Sequence, residues 1–241
     1  MQFSQHEIKR LAYAFMPEFA ELVGVIIGDG NILYRYQDKF YRIIVVGDVS
    51  QDIEYFMRLK NIIFKLTGKE PVIQSRKHKK GFGLELLIYS KAFISFLVED
   101  ADLDYGNKTF IVKIPKRFTI SWEIAKHVLR GIFESDGSLY FSKSKENNYP
   151  TYPRIELRTS SQLLAYQVFD LLNKNKFEAK IMKTKYGDFK IYLSGEHKLE
   201  KWMREIGFSN RNSLTKYLLW KKLGYYIPRI SLLESSISES N

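Results

Sequence analysis

Leu22-Val23-Gly24-Val25-Ile26-Ile27-Gly28-Asp29-Gly30 and Leu129-Arg130-Gly131-Ile132-Phe133-Glu134-Ser135-Asp136-Gly137 share one pattern, Leu-x-Gly-x-apolar-x-small-Asp-Gly, at a separation of 107 residues. Each stretch reads as the last turns of a buried helix that stops at an Asp-Gly pair, where glycine tolerates the left-handed cap conformation. The repetition points to a duplicated fold with one shared site. Small residues four apart, Gly24 and Gly28 on one helix and Gly131 and Ser135 on the other, let two backbones approach closely. Such an interface delivers Asp29 and Asp136 to one point. A helix C-terminus already carries about half a negative charge, so two carboxylates meeting there call for a cation. Hard oxygen donors of this kind, with the Gly28 and Ser135 positions beside them, suit Mg²⁺.

Composition narrows the partner. The 241 residues suffice for one large domain or two of about 110 residues, each able to bury a core. A formal charge of +11 favours a polyanion. A membrane is not expected, because no apolar run approaches the ~20 residues a span needs. The opening Met1-Gln2-Phe3-Ser4-Gln5-His6 has no secretory signal pattern, and cysteine is absent. Both fit an intracellular protein, in a prokaryotic cytoplasm or an organelle. The histidines His6, His78, His127 and His197 show no metal-ligand spacing, and no phosphate loop or nucleotide fingerprint occurs.

After each motif the same order recurs: a basic, aromatic hairpin, a helix opening near Ser50-Gln51 or Ser161-Gln162, a second hairpin and a further helix. Pro17 is placed to begin the first motif helix and Ser121 to cap the second. Helices are expected near 4–16, 51–67, 91–99, 161–175, 196–206 and 213–223. Their apolar spacing puts Ile53, Phe64, Trp202, Leu214 and Leu218 among the residues expected to pack. The strands alternate, as in Arg154-Ile155-Glu156-Leu157-Arg158, with both arginines on one face. All four hairpins carry candidate DNA contacts: Arg35, Lys39 and Arg42; Gln74, Arg76, Lys77 and Lys79; Tyr140, Lys143, Lys145, Arg154 and Arg158; Lys180, Lys183, Lys185 and Lys190. A two-stranded ribbon fits the major groove, where Arg and Gln reach base edges and Lys holds phosphates. Glu134, where the first motif has Ile27, reads as a surface or DNA-facing group.

These repeated motifs resemble the LAGLIDADG motif of homing endonucleases in its monomeric, two-motif form, and the resemblance extends over about residues 17 to 227. It implies an α+β fold of duplicated αββαββα half-domains with pseudo-twofold symmetry, two antiparallel sheets forming a DNA-binding saddle. The halves would be 1–115, with an extra N-terminal helix, and 116–228, followed by a tail at 229–241. It further implies a monomer cutting both strands of a double-stranded target of roughly 20 bp. Asp29 and Asp136 would hold Mg²⁺ for metal-assisted hydrolysis, with Mn²⁺ substituting and Ca²⁺ binding without turnover. The cut would promote insertion of the encoding intron or intein. Lys108 and Arg211, which follow the last helix of each half, are the candidates for a basic catalytic pocket. Some relatives order the attacking water with Gln or Lys on the second strand, where this chain has Gly47 and Asp48. An intron-splicing protein that binds intron RNA and a non-cleaving DNA-binding regulator are the alternatives on the same scaffold.

Overall fold

The computed structural model describes residues 2–35, 37, 39–78, 81–143 and 149–227. Helix α1 (Gln5–Ala14) precedes the first repeat: α2 (Met16–Ile27), β1 (Gly30–Arg35), β2 (Phe40–Asp48), α3 (Ile53–Thr67), β3 (Val72–His78), β4 (Gly81–Ile88) and α4 (Lys91–Ser95), which continues as a π-helical turn over Phe96–Asp100. A 3₁₀ turn at Lys116–Phe118 leads into the second repeat: α5 (Trp122–Ser135), β5 (Gly137–Lys143), β6 (Pro150–Thr159), α6 (Gln162–Lys174), β7 (Lys180–Lys183), β8 (Phe189–Ser194) and α7 (Glu196–Glu205). Helix α8 (Arg211–Leu223) follows.

The strands form two antiparallel four-stranded sheets, in the orders β1-β2-β4-β3 and β5-β6-β8-β7. Registers correspond: Gly30 pairs with Val45 as Gly137 pairs with Leu157, and Val45 pairs with Leu86 as Leu157 pairs with Ile191. The chain is therefore an α+β duplication, with αββαββα as the repeating order. Alternation gives each sheet an inner face, through Ile32, Ile43, Val45 and Leu86 in one and Leu139, Ile155, Leu157 and Ile191 in the other, all buried beneath helices. At about 25 cal/mol per Å² of apolar surface, this shared burial is the main force holding sheet to helix.

Local chemistry explains most helix starts. Ser4 and Glu7 close a reciprocal capping box on α1, and the Ser161 hydroxyl accepts from the Leu164 amide at 3.2 Å to start α6. Ser121 occupies the cap of α5 without a side-chain capping bond. Asp52 takes the α3 cap position, because Ser50 is held by the Asp48 carboxylate at 2.8 Å from its amide. Helix α8 begins at Arg211, two residues before the expected start, because the Asn210 side chain caps it through the Asn212 amide.

Several expected core residues lie elsewhere. Ile53 is 42% exposed and Phe64 48% exposed, on the outer side of α3. In α8 the buried residues are Tyr217 and Trp220, and Leu218 is 53% exposed. The aromatic rings are wider than the leucines and reach β5 and β6, where Trp220 donates its indole N–H to the Thr151 carbonyl at 2.8 Å.

A candidate divalent-metal site between two touching helices

Helices α2 and α5 meet backbone to backbone. A Cβ placed on Gly24 would strike the Val128 carbonyl and come within 2.9 Å of the Ile132 nitrogen. One on Gly131 would strike the Glu21 carbonyl and come within 2.8 Å of the Val25 nitrogen. Gly28 faces Ser135, whose hydroxyl donates back to the carbonyls of Gly131 and Ile132 at 3.0 Å each. The four small residues thus form the helix interface. Gly30 and Gly137 are required for a different reason from the expected left-handed cap: they open β1 and β5, and neither has positive φ. A Cβ there would lie 2.5 Å from the Ile26 Cα or the Phe133 carbonyl, so close approach selects glycine.

This contact brings Asp29 and Asp136 together over an open groove of about 940 Å³, lined also by Asn31, Lys108, Arg158 and Asp188. Burial, then Asp136, then Asp52 push the Asp29 carboxyl up to about 7. Asp136 is raised mainly by desolvation, against the opposing pull of Lys108. Its side chain reaches solvent at the groove floor, yet packed protein on its other sides still penalises the charge. The two carboxyls influence each other in opposite senses: the charge on Asp136 raises Asp29, and hydrogen bonding from Asp29 lowers Asp136. Among the described residues no third His, Cys, Asp or Glu completes a protein-only metal cage. Two carboxylates whose mutual repulsion a cation would relieve, with water and phosphate filling the remaining positions, match the donor habit of Mg²⁺. The donor set therefore fits a hard divalent ion.

Of the two basic candidates, only Lys108 lines the groove. Its ammonium donates to the carbonyls of Ile26 and, at 2.6 Å, Ile27, capping the negative end of α2. Desolvation brings its pKa down to about 8, opposed by Asp136 and Asp29. Arg211 is not the matching group: it is 73% exposed and pairs with Glu54 at 2.6 Å. The cause is Glu134, which the sequence reading placed on the surface. Its carboxylate accepts from the amides of Ser209 (2.5 Å) and Asn210 (3.1 Å), and burial raises it to about 7. That clamp fixes the turn before α8 and aims Arg211 toward α3.

Asp52 was missed by the sequence reading. It accepts from the Asp48 amide at 2.7 Å and from the Asn210 side chain at 2.7 Å, and its charge acts on Asp29. Gly47 is what admits it: a Cβ there would lie 2.9 Å from the Asp52 carboxylate. Asp48 itself turns away to hold Ser50 and Gln51. A further unread group is Glu21, with its side chain wholly buried between Arg58, from the first repeat, and Arg130, from the second. Tyr55 donates to the same carboxylate at 3.0 Å. Only an acidic residue inside an apolar helix hinted at this ion cluster.

The open sheet faces collect most of the hairpin candidates. Register puts Arg35, Arg42, Gln74 and Arg76 on one, and Tyr140, Arg154, Arg158, Lys180 and Lys190 on the other. Many are tied to carboxylates: Arg76 and Gln74 to Glu85, Arg158 to Asp188, and Tyr140 and Lys190 to Glu156. Lys77, Lys143 and Lys183 follow the inner-face alternation at strand ends, where they reach solvent. Lys39 sits in the β1–β2 turn at φ 51°, and Lys185 in the β7–β8 turn. Lys79 and Lys145, with the expected 229–241 tail, lie outside the described residues.

A known family describes the second repeat. The sequence model of the LAGLIDADG-like domain matches residues 123–216. The fold is that of homing endonucleases of known structure. It is similar to I-DmoI, a homing endonuclease (17% identity, TM-score 0.56, covering 80% of this chain and 96% of that one). It is also similar to I-WcaI, solved bound to its DNA recognition sequence (16%, TM-score 0.54, 83% and 86%). Full-length DUF199/WhiA from Thermatoga maritima matches as well (16%, TM-score 0.52, 100% and 73%). No match to this sequence is found among curated proteins. Among the described residues, no helix is long and apolar enough to cross a membrane.

Proposed function

We propose that this chain is a site-specific, divalent-metal-dependent DNA endonuclease that acts as a monomer on both strands of a target of roughly 20 bp, encoded within an intron or intein. The observation that carries the reading is the convergence of Asp29 and Asp136 at the ends of touching helices, in a groove flanked by open, basic sheet faces. A fold alone does not decide chemistry, so the weight rests on this pair. I-DmoI has been solved with DNA and Mn and, as a variant, with its target DNA and Mg, which supports divalent-metal use on this fold.

Asp29 and Asp136 would hold the metal, one carboxylate toward each strand. When bound, Mg²⁺ or Mn²⁺ supplies polarisation of the scissile phosphoryl oxygen, a more acidic attacking water and stabilisation of the leaving oxygen. Lys108 keeps positive charge beside the α2 carbonyls and the two aspartates, where it offsets charge developing on phosphate. The halves 1–115 and 116–228 would each take one half-site, and the protein would work inside the cell.

The test uses duplexes enriched by the full chain from a random library in Ca²⁺, then incubated in Mg²⁺. The parent should cut both strands, whereas Asp29→Asn and Asp136→Asn should bind with unchanged affinity and lose cleavage by at least about 10²-fold. Cleavage at the parent's rate by either variant refutes the shared site.

A further inference from the structure

The two open sheet faces are chemically unlike at equivalent positions. On each sheet the first open-face rung begins at the residue after the motif glycine. In the first sheet the rung runs Asn31, Ile44, Leu87, Val72 across β1, β2, β4 and β3. Its counterpart in the second sheet runs Ser138, Glu156, Tyr192, Lys180. Beyond Asn31 the first is aliphatic, whereas the second is polar throughout.

The aliphatic rung continues into neighbouring rows. Val46 is 43% exposed, Val72 is 48% exposed, and Leu33 and Ile44 are half-buried, while Leu87 forms a floor at 6%. Phe40 lies at one end with the Arg35 and Arg42 guanidiniums 5.1 and 5.3 Å from its ring centre. At the other end Glu85 ties down both Gln74 and Arg76. Asn31, Arg42 and Glu85 thus border a contiguous group of aliphatic side chains, Leu33, Ile44, Val46, Val72 and Leu87, that spans the four strands. An ordinary solvent-facing sheet surface would carry polar residues there. The occupant must offer methyl-sized apolar groups at its centre and negative charge around them, opposite the arginines.

Duplex DNA meets both demands through thymine, whose C5-methyl is the one apolar group that base pairs present in the major groove. We infer that Ile44, Leu87 and Val72, with Val46 and Leu33 beside them, form a thymine-reading surface, so that the half-site on the first sheet carries clustered thymines and the half-site on the second does not. The inference rests on the DNA-binding reading above. The second sheet meets its bases with the Tyr140–Glu156–Lys190 set and Lys180, which address hydrogen-bonding edges.

The experiment enriches binders from a random 24-bp duplex library with the full chain in Ca²⁺, then compares each enriched thymine with deoxyuracil, which lacks only the methyl. Thymines should cluster in one half-site, and each methyl removed there should weaken binding about fourfold. In the other half-site the exchange should change little. Val72→Ser and Ile44→Ser, both on the sheet surface, should abolish the methyl dependence of that half-site while melting near the parent. An enriched sequence without clustered thymines, or with affinity indifferent to methyl loss, overturns the inference and leaves the DNA-binding reading standing. Methyl dependence retained in both serine variants overturns the assignment to this face. Failure to enrich any duplex overturns both readings. Because the deoxyuracil arm alters only the DNA, it does not depend on a variant folding.

Discussion

Replacing Gly24 with alanine adds one methyl group at the closest point of the molecule. The new carbon would strike the Val128 carbonyl and lie 2.9 Å from the Ile132 nitrogen and 3.0 Å from the Gly131 Cα. All three are backbone atoms of α5, so no side chain can rotate away. Restoring ordinary contact distances of about 3.5 Å requires the helices to part by roughly 1 to 1.5 Å. Overpacking of this kind costs about 1 to 3 kcal/mol, and the helix-propensity gain of alanine over glycine returns about 1 kcal/mol. Because every obstacle is backbone the upper end of that cost applies, and the net loss of about 2 kcal/mol should lower Tm by roughly 4 to 8 °C for a chain of this size. Cleavage should fall further, because a displacement of about 1 Å in catalytic groups can cost about 10²-fold in rate. Gly28→Ala is the control: its nearest obstacle is the Ser135 hydroxyl, which can rotate at the cost of its bonds to Gly131 and Ile132, roughly 1 kcal/mol. Thermal melts and single-turnover cleavage of the two variants side by side decide the matter. A Gly24→Ala protein that melts and cuts like the parent would refute the claim that backbone contact sets the spacing of Asp29 and Asp136.

Because Asp29 is raised to about 7, a metal must displace a proton below that pH. The Mg²⁺ concentration for half-maximal cleavage should therefore rise as pH falls from 8 to 6, with excess Mg²⁺ restoring the rate, and a pH-independent requirement would contradict metal binding at the raised Asp29 carboxyl. Lys108→Met should slow cleavage by about 10- to 100-fold, whereas Arg211→Met, on a side chain paired with Glu54, should act mainly on affinity. Equal rate losses would show that Arg211 swings into the groove. Glu21→Gln leaves Arg58 and Arg130 without their carboxylate and should destabilise by about 3 kcal/mol, the lower end for a broken buried pair because Arg58 reaches solvent. The ion pairs and hydrogen bonds, outweighing the desolvation that opposes them, lower the folded pKa of Glu21. Its stabilising contribution is present above the unfolded value near 4.3 and lost as pH falls through the folded one, so Tm of the variant should depend less on pH below about 4.

The duplication, the helix interface and the aspartate pair were legible in sequence because each rests on local rules. Gly24, Gly28, Gly131 and Ser135 announce a close approach by size and spacing alone, and alternation in β6 assigns its arginines to one face without knowledge of the partner strand. What tertiary structure decided was the company each residue keeps. Lys108 and Arg211 hold similar sequence positions, yet one caps α2 over the groove and the other leaves for Glu54, because Glu134 stands where the first motif has Ile27. Asp52 occupies space that a side chain on Gly47 would take and acts on Asp29 through its charge, and Glu21 joins arginines from both repeats across the seam. The cross-strand rows of the open faces depend on register between strands far apart in the chain, which makes one rung aliphatic beyond Asn31 and its counterpart polar. Spacing along the chain fixes periodicity and steric size, which are properties of neighbours; charge pairing and desolvation depend on distances through space, and those exist only once the two halves have packed.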